Sequence, residues 1–107
     1  MTLSKRADFL AANRGRRAAT PGFVLLVRER EDRDPLMRVG FTVTKKIGNS
    51  VVRNRMKRRF RALSRELLPK LGVAGADHVI IGRAGGIERA FPEMREELVR
   101  ALDKIRR

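Results

Sequence analysis

The feature that most constrains this chain is a basic amphipathic segment from about residue 50 to about residue 68. Its apolar residues recur at steps of three and four, a spacing that predicts one face of an α-helix: Val52, Met56, Phe60, Leu63 and Leu67. Arginine and lysine dominate the other faces, and no carboxylate occurs between Asp34 and Glu66. Such a helix has to bury its stripe against another layer of structure and to expose its cationic side.

The cationic side is denser than solubility requires. Arg53 and Arg55 fall near the first turn, where the helix dipole disfavours cations by roughly 0.3–1 kcal/mol each. Like charges at i and i+4, such as Arg53 and Lys57, are unfavourable by roughly 0.2–0.5 kcal/mol per pair. In the C-terminal segment, by contrast, acidic and basic residues alternate. The alternative is that this face is merely solvated. However, the repulsion among its cations lowers the stability of the helix, and a bound polyanion would remove that repulsion. The pattern therefore favours a nucleic-acid surface.

Composition agrees with a polyanionic partner. Lysine and arginine number 26 against 12 aspartates and glutamates, a formal net charge of +14. A membrane is the rival polyanion, but the longest apolar run is residues 23–27, and the chain has neither Trp nor Tyr, so no membrane association is expected. The N-terminus has no apolar signal core and cysteine is absent, which predicts a cytoplasmic protein without disulfides.

The remaining patterns predict one α+β domain over residues 1–107, with a small, mostly antiparallel sheet. Asn49 or Ser50 is expected to cap the basic helix. The expected elements are, in order, a helix capped by Ser4 and running to about Asn13, a strand from Phe23 to Arg28, a hairpin turn from Glu29 to Pro35, a strand from Met37 to Lys45, the basic helix ending at Leu68, a central strand from Asp77 to Arg83, and a final helix opened by Pro92.

The strand at 37–45 has two distinct faces. Val39, Phe41 and Val43 form an apolar face that is expected in the core. The other face is small and polar, so we expect it to form the floor of an open trough: Arg38, Gly40, Thr42 and Thr44.

Residues suited to catalysis are few. His78 is the only histidine, it lies within a predicted strand, and we expect it to be structural. No Cys nucleophile or Ser–His–acid set can be assembled. The acids between Glu29 and Asp34 alternate with arginines, which is typical of a solvated loop rather than a metal site. The protein alone is expected to bind rather than to catalyse.

One motif is specific to a family. Lys45-Lys46-Ile-Gly-Asn-Ser-Val-Val-Arg53-Asn54-Arg55-Met-Lys57-Arg58, preceded by Val39-Gly-Phe-Thr-Val-Thr, closely resembles the signature of the bacterial ribonuclease P protein component. The Arg-Asn-Arg start of the helix is the hallmark of that family. The resemblance extends through Phe9, the strand at 23–26, the strand at 77–83 and the closing helix, so it covers nearly the whole chain.

The resemblance implies a subunit of a ribonucleoprotein endoribonuclease that removes the 5′ leader from precursor tRNA. The RNA subunit performs the catalysis with Mg²⁺, and the protein binds no cofactor itself. The implied partners are the ribonuclease P RNA and precursor tRNA, with no obligate protein partner. The implied fold is a ribosomal-protein-like two-layer α–β sandwich of about four strands and three helices. Its βαβ crossover is left-handed, which general rules would not predict, because such crossovers are right-handed in about 98% of cases.

The resemblance also implies two sets of site residues. Those expected to bind the catalytic RNA are Lys45, Lys46, Arg53, Asn54, Arg55, Lys57, Arg58 and Arg61. Phe9, Leu26 and Thr42 match positions of a cleft for the leader, and the trough floor adds Arg38 and Thr44 to the residues expected to line it. The chain departs from the family at Ser50, usually Ala, at Leu26, where Tyr is common, and at Ala12 or Asn13, where a second aromatic is common. Leader contacts are therefore expected to be mainly phosphate and apolar ones.

Two other classes remain open from the residues alone. A ribosomal or ribosome-associated RNA binder would share the charge and the fold type, but it would not need the Arg-Asn-Arg motif at this position. A self-sufficient nuclease would need a catalytic set, which the sequence does not supply.

Overall fold

A four-stranded sheet lies at the centre of the fold. The computed structural model describes residues 2–3 and 5–106. Within them the elements are α1 (Arg6–Ala12), β1 (Arg16–Ala19), β2 (Phe23–Glu29), β3 (Arg38–Thr42), α2 (Ser50–Leu71), β4 (Ala76–Gly82), a 3₁₀ turn (Ala84–Gly86) and α3 (Phe91–Arg106). The strand order is β1-β2-β4-β3, with β1–β2 and β2–β4 antiparallel and β3–β4 parallel. The predicted α+β architecture of four strands and three helices is confirmed.

The main core lies between one face of the sheet and helices α2 and α3. Strand residues such as Leu25 and Ile80 point to this face and are fully buried. They meet the stripe of α2, of which Met56, Phe60, Leu63 and Leu67 are buried, as predicted, and Val52 is partly buried. The Phe23 and Phe60 rings meet edge to face, with centroids 5.9 Å apart. The buried stripe therefore fixes which side of α2 faces solvent.

A smaller apolar cluster lies on the opposite face of the sheet, beneath α1. Leu3 and Ala12 pack there against Val24, Leu26 and Val79. Leu3 is held in place because its backbone N–H donates to the carbonyl of Val39 at 2.7 Å. The predicted cap at Ser4 lies outside the described residues, and α1 begins at Arg6 without a side-chain cap.

Helix α2 starts as predicted and ends later than predicted. Asn49 is its cap, and the side-chain oxygen of Asn49 accepts a hydrogen bond from the N–H of Val52 at 3.0 Å. The predicted end at Leu68 is wrong, because Pro69 lies inside the helix, which continues to Leu71. Proline inside a helix removes the bond to the carbonyl four residues earlier and its ring crowds that carbonyl, a loss of roughly 3 kcal/mol. Burial of Leu68 and partial burial of Leu71 against the core offset that loss.

The predicted hairpin at Glu29–Pro35 is wrong, because β4 lies between β2 and β3. The segment is shaped by Arg30 rather than by strand pairing, since its guanidinium donates to the carbonyls of Asp34 and Leu36. Strand β3 ends at Thr42, earlier than the predicted Lys45. Strand β4, predicted to be central, does lie inside the sheet. Helix α2 joins the parallel pair β3–β4, and the left hand of this crossover stays a prediction.

Strand β1 was not predicted. Its four residues, Arg16–Ala19, expose all but Ala18, so they carry no run of apolar residues. The segment is a strand because it pairs with β2 and because the Arg16 guanidinium donates to the carbonyl of Ile105 near the end of α3, at 2.5 Å. The contact with Ile105 joins residues that are far apart in sequence, whereas the pairing with β2 is a local hairpin across residues 20–22.

Candidate nucleic-acid interface

The exposed side of α2 carries cations that have no acidic partner. Among residues 2–3 and 5–106, no ion pair or hydrogen bond joins a carboxylate to the side chain of any of these residues: Lys45, Lys46, Arg53, Arg55, Lys57, Arg58, Arg61 and Arg65. Arg53 and Lys57 are partly buried and the others are exposed, as is Asn54. The single carboxylate of α2, Glu66, is directed to α3, where Arg95 Nε donates to it at 2.8 Å. We call these residues, most of which are exposed on α2 while Lys45 and Lys46 precede it, the basic face.

Arg59 lies on the same helix but has a structural role. Its Nη2 donates to the carbonyl of Arg89 at 2.5 Å, and its guanidinium lies 5.9 Å from the centroid of the Phe91 ring. Burial, and after it the charge of Arg55, lowers the pKa of Arg59. Arg59 therefore joins α2 to the segment before α3.

The predicted leader cleft is partly filled. A Cβ placed on Gly40 would come within 2.6 Å of two ring atoms of Phe9, so that ring lies directly on the strand. Leu26 is only 3% exposed and packs beneath α1, which leaves it no free surface for a ligand. The expectation of an open floor is therefore wrong at Gly40, because α1 and Leu3 cover it.

Arg38 is neutralised rather than free. Its Nε and Nη2 donate to the two carboxylate oxygens of Asp77, each at 2.7 Å, and Nη2 lies 3.5 Å from Asp8 of α1. Arg30 Nη1 also donates to Asp77, at 2.9 Å. Burial would raise the pKa of the Asp77 carboxyl, but the hydrogen bonds from Arg38 and Arg30 outweigh it and hold that pKa below its usual value. Arg38 therefore joins α1 to the sheet.

The open part of the cleft lies beyond Phe9. Thr42 and Ile81 are opposite each other in the β3–β4 register and are partly exposed, and Thr44 is exposed in the following segment.

Arg17 of β1 lies opposite Leu26 in the register, on the same face of the sheet, and is exposed without an acidic partner among the described residues. Sequence reasoning missed Arg17 because it missed β1. The sequence of β1, Arg-Arg-Ala-Ala, has no apolar–polar alternation that could have predicted it.

His78 lies neither on the basic face nor in the cleft. It is fully buried, and its Nε2 accepts a hydrogen bond from the N–H of Val73 at 3.0 Å, which confirms the structural reading. Burial lowers the pKa of His78. Within the described part of the chain, no three His, Cys, Asp or Glu side chains are grouped so that they could hold a metal ion. No helix there is long and apolar enough to cross a membrane.

Comparison with known proteins gives a family. The sequence profile of the Ribonuclease P family matches residues 1–106. The "Ribonuclease P protein component" of Erythrobacter litoralis is 62% identical over 104 residues, which span 97% of this chain and 84% of that protein.

Solved structures agree in fold. The ribonuclease P protein from Thermotoga maritima is 28% identical, with a TM-score of 0.83 over 98% of this chain and 97% of that one. A mutant of the Staphylococcus aureus protein, described as defective in mRNA degradation activity, is 25% identical, with a TM-score of 0.83 over 98% of this chain and 87% of that one.

Proposed function

The chain belongs to the ribonuclease P protein family, and we propose that it is the protein subunit of a ribonucleoprotein that removes the 5′ leader from precursor tRNA. The observation that carries the proposal is the basic face, whose cations have no acidic partner in the part of the chain that the structure describes, while Glu66 is directed to α3. In this role the RNA subunit supplies the catalysis with Mg²⁺. The protein binds the catalytic RNA and the leader, and positions the precursor tRNA.

The basic face acts by neutralising phosphates of the catalytic RNA. Each lysine or arginine that contacts a phosphate releases condensed counterions, so affinity should fall steeply as salt rises. Contacts of this kind fix orientation without reading sequence. Met56 and Phe60 are fully buried beneath α2 and hold its backbone against the sheet. The face therefore needs no reordering of α2 when it binds.

The cleft acts on the leader. Its open part offers Thr42, Thr44 and Ile81, the edge of Phe9, and the guanidinium of Arg17 at its margin. This composition suits a sugar-phosphate backbone better than stacked bases, because Phe9 already packs on Gly40. We therefore expect precursor tRNA to be favoured over mature tRNA, with little dependence on leader sequence.

Reconstitution tests the proposal. The purified protein, combined with a bacterial ribonuclease P RNA at low Mg²⁺, should increase cleavage of precursor tRNA relative to that RNA alone. The protein alone, after thorough nuclease treatment to remove RNA, should cleave neither precursor tRNA nor mRNA. Absence of stimulation would contradict the subunit role. Cleavage of mRNA that co-purifies with the protein would instead support an activity like the one ascribed to the Staphylococcus aureus relative.

A further inference from the structure

A groove lies between the outer edge of β3, where Thr2 bridges to Val39, and the side of α2. It is separate from both the start of the basic helix and the cleft under α1. Its volume is about 340 Å³. Its walls are apolar where Phe41 and Val39 face Leu68 and Pro69, and its rim carries Arg61 and Arg65. Ligand pockets of proteins typically range over roughly 300–1,000 Å³, so this groove has room for one small unit rather than a chain.

The groove contains a buried polar group without a partner. Ser64 is 4% exposed and lines the groove, and its hydroxyl makes no hydrogen bond with any described residue. Buried hydroxyls are normally hydrogen-bonded, so a hydroxyl without a hydrogen bond at the wall of a groove indicates a partner that binds there. A second acceptor lies beside it. Pro69 has no N–H, so the carbonyl of Arg65 lacks its usual donor within the helix.

The strand edge provides further polar groups. Strand β3 is at the edge of the sheet, and the carbonyl of Val39 points outward, where it accepts from the N–H of Leu3. Because strand residues alternate in direction, the peptide groups of Phe41, two residues further on, point to the same open side. The groove thus combines an aromatic side chain, hydrogen-bonding groups at its walls and two adjacent cations at its rim.

We propose that this groove holds one unstacked nucleotide of the bound RNA. The base lies between Phe41 and the side of α2, its edge meets the hydroxyl of Ser64, and its phosphates contact Arg61 and Arg65. A nucleotide is the unit of RNA that has apolar faces, a hydrogen-bonding edge and a negative charge at once, and unstacked bases are recognised in this way. The inference rests on the proposed function, because it presupposes that α2 binds RNA.

Ser64→Ala gives the sharpest test, because binding and stability should change in opposite directions. Removing an unpaired buried hydroxyl and adding the best helix former should leave the melting temperature of the free protein unchanged or raised. The affinity for a bacterial ribonuclease P RNA should fall by about fivefold. If Ser64 were merely structural, the melting temperature would fall and the affinity would not.

Phe41→Leu and a pair of charge variants complete the test. Phe41→Leu removes the aromatic face and should weaken RNA binding by about tenfold without changing its salt dependence. Arg65→Gln should weaken binding and reduce the log–log salt slope by nearly one unit. Lys70→Gln is the matched control, because Lys70 is an exposed cation of the same helix that does not line the groove. It should change the affinity by less than about twofold.

The outcomes separate this inference from the proposed function. If wild type binds the RNA and stimulates cleavage while Ser64→Ala and Phe41→Leu bind equally well, the groove holds no nucleotide and only the inference fails. If wild type neither binds nor stimulates, the proposed function fails.

Amide NMR of the protein titrated with adenosine 5′-monophosphate distinguishes the source of the nucleotide. We expect only weak shifts at Phe41 and Ser64, because a free nucleotide lacks the attachment that RNA provides. Tight binding of the free nucleotide, with RNA affinity unaffected in both variants, would overturn the assignment to RNA.

Discussion

The Asp77 cluster permits a quantitative prediction about stability. Asp77 is fully buried and accepts three hydrogen bonds, at 2.7, 2.7 and 2.9 Å, from Arg38 and Arg30. The change Asp77→Asn removes the one buried anion that both guanidinium groups share, and leaves Arg30 only the exposed Asp32 and Arg38 only the more distant Asp8. Removing one partner of a buried ion pair typically costs roughly 3–5 kcal/mol. The side chain of Arg38 is 26% exposed and can regain water, so the lower end applies, about 3 kcal/mol.

Thermal and urea unfolding at neutral pH measure this loss. For a chain of about this size, 1 kcal/mol corresponds to roughly 4–8 °C, so the melting temperature should fall by at least about 12 °C. Asp32→Asn is the matched control. Asp32 also pairs with Arg30, at 3.0 Å, but it is exposed, so little change is expected. A loss for Asp77→Asn no larger than that for Asp32→Asn would refute the assigned role of the cluster.

The same cluster predicts a pH dependence of known sign. The pKa of Asp77 is lowered in the folded protein, so its contribution to stability is fully present above the unfolded pKa of about 3.9. The contribution is lost as the pH falls through the lower, folded pKa. Urea denaturation between neutral and strongly acidic pH should therefore show a steeper acid loss for wild type than for Asp77→Asn. Parallel curves for the two proteins would contradict this reasoning.

Three further predictions concern the surfaces. Lys57→Ala should weaken binding to the catalytic RNA by about 1 kcal/mol and reduce the log–log salt slope by nearly one unit, and an unchanged slope would mean that Lys57 does not touch phosphate. Thr42→Glu should oppose the leader phosphates and remove much of the preference for precursor over mature tRNA while leaving RNA-subunit binding intact; equal discrimination by mutant and wild type would place the leader elsewhere. Gly40→Ala should displace the Phe9 ring, because the new Cβ would meet it at 2.6 Å, and the melting temperature should fall; an unchanged melting temperature and Phe9 ring environment by NMR would show that the contact is not tight.

The basic helix could be predicted from sequence because its determinants are local. The stripe from Val52 to Leu67 and the cap at Asn49 are read from neighbouring residues, and both match the structure. Its end could not be placed, because burial of Leu68 against distant strands decides whether Pro69 is tolerated. Local signals describe an element well until tertiary contacts outweigh them.

The sheet order was harder to predict for the same reason. The pairing of β3 with β4 joins segments separated by the whole of α2, and no local pattern distinguishes it from a β2–β3 hairpin.

The filling of the cleft could not be predicted from local patterns either. Alternation placed Arg38 and Thr42 correctly on their strand, and the resemblance placed Leu26 at the cleft. Neither indicated that α1 covers Leu26 or that Asp77 neutralises Arg38. Gly40 was the overlooked signal, since a glycine inside a strand often marks close approach of another group.

The position of β4 inside the sheet sets an order for folding during synthesis. Strands β2 and β3 share no pairing of their own, and both depend on residues 76–82, so nearly half of the chain separates Glu29 from its partner Ala76. Until β4 has left the ribosome, β1 and β2 can pair, but α2 has only part of the sheet surface on which Met56 and Phe60 are buried, because β4 is missing. The repulsion among its arginines then acts on an incompletely supported segment. Folding should therefore be late and cooperative, limited by closure of this long loop, and a polyanion present at that stage should accelerate it.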